Sequence, residues 1–283
     1  MLGKLMKYEW RGYKVPLIVI FSILIFTTLL TGILITTINP EYDAVVSNFS
    51  DTFMVISFML YYFGIIGSAL GSFLIIAVRF YKTCYTDQGY LTHTLPAKPS
   101  QILGSKIITA ILQYLLIMLG IMASILVLIQ VLFTHMANMG YDDFSNISFS
   151  EIFYALNQNF EYEFGMSFTK LLIFILIFAL LSCISAVTTI FGCISLGQLF
   201  TKHRVIGAII AYFAVNIIIQ IISFMASIPM YKDAFISDFG GETLTIFEFL
   251  SPTFIMAMIG SIALSVIMYF ISLHMMTKKL NLE

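Results

Sequence analysis

Charge is what this sequence has least of. Only 10% of its 283 residues are Asp, Glu, Lys or Arg, where about 25% is usual. So few charges cannot cover the surface of a water-soluble domain. That shortage excludes a soluble enzyme, and the lack of polar bias excludes a disordered chain. The net charge of −1 leaves no basic excess for a nucleic-acid binder. Three cysteines with no close pairing exclude a disulfide scaffold. Six Pro and 17 Gly are too few for a low-complexity chain. Apolar residues fill the space, at 60% of the chain against about 45–50% in soluble domains. Mean hydropathy is +0.98. A polytopic membrane protein remains.

A membrane-spanning helix needs about 20 apolar residues, since about 30 Å of hydrocarbon is crossed at 1.5 Å per residue. Six runs qualify: 15–38, 54–78, 107–133, 171–196, 205–228 and 253–276. None contains Asp, Glu, Lys or Arg. They are continuous rather than alternating, so they read as helices and not as barrel strands. Run 15–38 is too long for a signal-peptide core, and no A-x-A site follows it, so it reads as a retained span. The expected fold is all-α, a single six-helix transmembrane domain over 1–283.

The loops set its orientation. Segments 1–14, 79–106, 197–204 and 277–283 fall on one side and hold 12 of the 14 Lys and Arg. Lys170 and Lys232 lie opposite, with 12 of the 15 acids. By the positive-inside rule the basic side is cytoplasmic, and so are both termini. The expected location is the plasma membrane.

Residues 1–14 read as an amphipathic elbow helix on the membrane surface. At 100° per residue, Lys4, Lys7, Arg11 and Lys14 fall in one arc of about 80°. Leu2, Leu5, Met6 and Tyr13 lie opposite, and Trp10 sits on the flank. The basic arc suits anionic headgroups and the apolar arc suits acyl chains. Glu9 is the anomaly, at the centre of the apolar arc, either snorkelling or paired with a base. Pro16 suits the first turn of span 1.

In span 2, Gly64, Gly67, Ser68, Gly71 and Ser72 form small-xxx-small pairs. Such pairs let helix backbones approach closely, within a subunit or between two. Loop 79–106 is punctuated by Gly89, Pro96 and Pro99, which predicts two short helices. Ser100 can cap the helix that enters span 3. Tyr90, Leu91 and Leu95 are apolar groups on a water-facing loop, a pattern of protein docking surfaces. The alternative is packing under the bundle. On the outer side, Ser148 and Glu151 fit a capping box and predict a helix near 149–160. In outer loop 229–252, Gly240-Gly241 reads as a turn, and 244–250 as a re-entrant or interfacial segment. Ser251 and Pro252 read as N-cap and first residue of span 6.

Several chemistries are missing. No G-x-x-x-x-G-K-[ST] phosphate loop is present. The run Ser195-Leu196-Gly197-Gln198 faintly resembles an ATPase signature, but it ends a span with no phosphate loop beside it. Cys183 and Cys193 are about 15 Å apart along one helix, and Cys84 is alone in the inner loop, so no metal site arises. The four histidines lie at loops or span ends, and none belongs to H-E-x-x-H. No charge lies within a span, unlike proton- and ion-coupled carriers. Asn216 and Gln220 share one face of span 5. They can line a path or bond between helices.

The opening MLGKLMKYEW, the run TDQGYLTHTLPAKPSQILGSK and the six-span layout together resemble permease subunits of type-2 ABC transporters, of the small Gram-positive kind. The resemblance is specific in about 30 residues only; elsewhere it is one of topology. It implies a separate ATPase subunit that carries ATP and Mg, so this chain is no enzyme and holds no cofactor. It implies a second permease, identical or paralogous, and an elbow at 1–14. It also implies a coupling helix within 84–101, which places Asp87, Gly89, Tyr90, Leu91, Leu95, Pro96 and Lys98 at the ATPase contact. The long loop 134–170 departs from many relatives. The strongly apolar wall favours export of an amphipathic or lipid-like cargo, such as an antimicrobial peptide. Two alternatives stand beside it: a non-transporting sensor or assembly partner, and the substrate-binding subunit of an energy-coupling importer. The second is expected to carry A-x-x-x-A in span 1, which is absent here.

Overall fold

A computed structural model describes residues 2–37, 44–94, 96–138, 154, 157–158, 167–200, 203–239 and 246–278. Helices make up nearly all of them. They are α1 (Leu2–Thr37), α2 (Ala44–Tyr85), α3 (Asp87–His93), α4 (Pro99–Asn138), α5 (Phe168–Gly197), α6 (Arg204–Phe239) and α7 (Ile246–Lys278). All except α3 are long and apolar enough to cross a membrane. The predicted spans thus correspond to α1, α2 and α4–α7, six helices that could each cross a membrane.

The helices outrun the apolar runs. α2 has 42 residues, or about 63 Å at 1.5 Å per residue, twice the hydrocarbon thickness of about 30 Å. Pro16, Pro229 and Pro252, each at or near the bound of a predicted span or loop, lie inside helices. α1 runs unbroken through Pro16, so residues 2–14 are its first turns and not a separate helix. Pro16 removes one N–H, which would have served the Gly12 carbonyl. Gly12 lies among Lys7, Arg11 and Lys14, at the end of the apolar stretch, where water can serve that carbonyl. α6 continues past Pro229 to Phe239. α7 begins at Ile246, so Ser251 and Pro252 lie within it rather than at its start. Among the described prolines, only Pro99 stands at a helix's first position. The predicted capping box, the helix near 149–160 beyond its three described positions, and Gly240-Gly241 lie outside the described residues.

The chain divides into two compact units. Residues 3–76 and 108–148 form the first. Its core sets Ile20 and Leu24 of α1 against Ile117 and Ile121 of α4, with Ile65 and Ala69 of α2 packed on them. A second cluster joins Ile35, Tyr61 and Leu128. Two polar contacts cross between helices here. Tyr61 Oη and Ser124 Oγ are 2.9 Å apart, and Thr31 Oγ1 donates to the Ser57 carbonyl at 3.1 Å.

The second unit holds residues 1–2, 77–107 and 149–283. Helix α5 is its centre and packs on both α6 and α7. From Val187 to Ile194 every residue of α5 is buried. Phe80 stacks on Phe191 with ring centroids 3.8 Å apart. Tyr85 Oη donates to Ser195 Oγ at 2.8 Å. Backbones meet closely where α5 turns into α6: a Cβ on Gly197 would stand 2.6 Å from the Ala208 nitrogen. The outer faces of α6 and α7 are lined with exposed Ile, Phe and Met. Apolar surface of that extent is at home in hydrocarbon, not in water.

Gly197→Ala must push two backbones apart. We expect it to cost about 1–3 kcal/mol and to lower the thermal midpoint in detergent by roughly 2–10 °C. Gly67 has nothing within 4 Å of its added Cβ. Gly67→Ala should therefore hold or raise the midpoint, since Ala favours a helix by about 1 kcal/mol over Gly. Equal midpoints for the two variants would contradict the close contact.

Candidate functional site

The segment between α2 and α4 is where the chain leaves its spans with apolar groups still exposed. It holds one separate helix, α3, rather than the two predicted. No breaker interrupts 79–85, so that stretch simply extends α2. At the other end Pro99 begins α4, and the Lys98 carbonyl accepts from the Gln101 and Ile102 amides at 2.8 and 3.2 Å. Lys98 is thus the N-cap residue, and Ser100 is already inside the helix. The proline fixes this start, because it holds a helical φ and lacks an N–H that would be orphaned there anyway.

Helix α3 is seven residues long, too short to persist alone. Contacts on its inner side hold it. Thr92 Oγ1 donates to the Thr83 carbonyl of α2 at 2.9 Å. Lys106 Nζ of α4 donates to Thr83 Oγ1 at 2.7 Å. Thr83 therefore joins three helices. Lys106 is 3% exposed, although the sequence marks it only as a loop charge. Gly89 is buried, and its amide donates to the Thr86 carbonyl at 2.6 Å. The Thr94 amide closes the helix on the Tyr90 carbonyl at 3.1 Å.

The opposite side presents Tyr90 and Leu91. Leu91 is 74% exposed, more than any other large apolar side chain described. Both residues lie between the candidate spans Thr52–Tyr85 and Pro99–Met136, in neither of them. Pro96 and Lys98 are also exposed. Leu95 and the side chain of Asp87 lie outside the described residues.

The other predicted residues fall elsewhere. On α1, Lys4, Lys7, Arg11 and Lys14 are exposed, while Glu9 and Trp10 are half-buried. The Arg11 guanidinium lies 5.7 Å from the Tyr8 ring centroid, in cation–π range. On α2, Gly64 faces Thr27, whose Oγ1 would be 2.9 Å from an added Cβ. Ser68 is buried and donates to the Gly64 carbonyl at 2.7 Å. Gly71 approaches Ile20, whereas Gly67 looks into open space. On α6, Asn216 donates to the Tyr212 carbonyl of its own helix at 2.8 Å, and Gln220 is exposed. Sequence reasoning missed Thr83, Thr92, Lys106 and the Tyr85–Ser195 pair. Gln113, one of the few polar groups that the sequence places inside a span, is fully buried on α4 with neither amide atom hydrogen-bonded.

Thr92→Val removes the bond that ties α3 to α2 and leaves the fold of the spans intact. One net hydrogen bond of about 0.5–1.5 kcal/mol implies amide exchange roughly 2–10-fold faster over 87–93. Hydrogen–deuterium exchange with mass spectrometry reads this directly, and unchanged exchange there would refute the tether. Comparison with protein-family models, curated proteins and solved structures finds no match for this chain.

Proposed function

We propose that this chain is the membrane-spanning permease subunit of an ATP-driven ABC exporter. It sits in the plasma membrane with both termini in the cytoplasm. A separate ATPase subunit binds ATP and Mg and docks against α3. A second permease, identical or paralogous, completes the path. The exposed Tyr90–Leu91 pair, on a short helix held between two spans, carries this reading. Exposed apolar groups on a loop between two candidate spans fit a protein partner. The basic segments support the orientation, because 12 of the 14 Lys and Arg share one side of the six-span layout.

The mechanism follows from that docking. ATP draws two ATPase subunits together beneath the permeases. They move the inner loop through Tyr90, Leu91 and Leu95. Because Thr83 joins α3 to α2 and α4, the motion passes into the spans and opens the path outward. This requires the ATPase to bind the two permease states with different affinity. The elbow role of residues 2–14 survives the continuity of α1, with the exposed arc Lys4, Lys7, Arg11 and Lys14 on anionic headgroups. The cargo is amphipathic or lipid-like, in keeping with an uncharged apolar wall. Asn216 and Gln220 are the side chains proposed to meet it.

A tagged chain purified in mild detergent from its native cell should bring down a soluble ATPase and hydrolyse ATP. Leu91→Asp should abolish that recovery while the protein stays folded, since Leu91 contributes little to the core. Tyr90→Ala should weaken it. Amphipathic peptides should raise the hydrolysis rate. An ATPase that still co-purifies with Leu91→Asp would remove α3 as the docking surface. A folded chain with no ATPase would point instead to a sensor or assembly role.

A further inference from the structure

One cavity in the second unit belongs to no part of this reading. It opens between the start of α4 and the ends of α5 and α7, with a volume of about 810 Å³. Its wall is mostly apolar, and includes Phe270, Leu273 and Leu196. Its polar edge consists of Lys98 and Ser100 from the α4 end, with His274 and Thr277 from α7. Lys98 is the one formal charge among the described lining residues, and no acid is among them. The lining thus joins a cationic, hydrogen-bonding edge to an apolar wall.

We infer that this cavity binds an anionic phospholipid, with the phosphate at Lys98, Ser100 and His274. Three observations favour a lipid. The edge offers an ammonium, a hydroxyl and an imidazole to an acidic headgroup. Size argues against a bare phosphate, which displaces only a few waters of ~30 Å³ each and would leave most of the cavity unfilled. The third observation is a track for the acyl chain. Ala263, Ile267 and Phe270 are exposed, and at 100° per residue they lie within about 40° of His274 around α7. From His274 to Ala263 is about 16 Å of helix, close to one leaflet of a hydrocarbon layer of about 30 Å. Head and tail sites are therefore in register along one helix. The cavity also sits where the apolar helices α4, α5 and α7 end and charge begins, the level at which headgroups lie.

The test is native mass spectrometry of the purified chain without any ATPase, so its result is independent of the transporter reading. The probes are dioleoylphosphatidylglycerol, dioleoylphosphatidylcholine and inorganic phosphate. We expect phosphatidylglycerol to be retained in preference to phosphatidylcholine. Lys98→Ala should lower that retention about fivefold, with a further loss on adding His274→Ala. Lys98→Arg should restore it. Lys170→Ala, at the opposite end of α5, should have no effect. A photo-reactive residue at position 270 should cross-link to lipid. Equal retention by the Lys98/His274 double variant, or no preference for the anionic lipid, would overturn the site. Displacement of the lipid by equimolar inorganic phosphate would assign it to free phosphate instead. Capture of a polypeptide at position 270 would assign it to a protein.

Discussion

A backbone amide in hydrocarbon has no water to bond, and this structure is arranged around that constraint. Each unpaired N–H or C=O there costs several kcal/mol. The chain answers with long helices whose amides are paired internally. Many of its hydroxyls follow the same rule. Ser22, Thr28, Ser68, Thr188 and Ser265 each donate to the carbonyl four residues back, at 2.6–2.8 Å. Serine and threonine can thus recur in spans without partners on other helices. The pressure to stay helical also accounts for Pro16 and Pro229, which remove one bond each but do not end α1 or α6.

Once helices are fixed, hydrophobicity alone cannot hold them together, because lipid is as apolar as their side chains. Close fit and a few polar contacts take over. Gly64 admits Thr27, and Gly197 admits the backbone of α6 at Ala208. Tyr61–Ser124 and Tyr85–Ser195 are hydroxyl pairs that cross between helices within their own units. The stacked rings of Phe80 and Phe191 serve the same purpose in the second unit. These are local agreements between particular side chains, distributed along faces that are otherwise uniform in polarity.

That distribution explains what could be read in advance. The spans were legible because hydrocarbon thickness and charge exclusion act on every residue of a run, and 54–78 needs no partner to be recognised. Helix ends were less legible. Arg79 and Lys82 mark the end of an apolar run, yet both belong to a helix that continues to Tyr85. The exposure of Tyr90 and Leu91 could be expected from their setting. The joint that holds them could not, since Thr83, Thr92 and Lys106 are ordinary polar residues until three helices meet. Lys106 did carry a faint signal: it lies one turn from Ile102 and Ala110 on the buried face of α4. Nothing in the sequence pairs Tyr85 with a serine 110 positions away.

The joint at Thr83 has a mechanical corollary. α3 is not hung from a flexible strap, because its inner face is bonded to α2 and α2 is bonded there to α4. The two helices that meet at this point, α2 and α4, are 42 and 40 residues long. A helix is stiff along its axis, so a load placed on α3 cannot be absorbed where it is applied. It is shared by two helices at once, in the manner of a yoke.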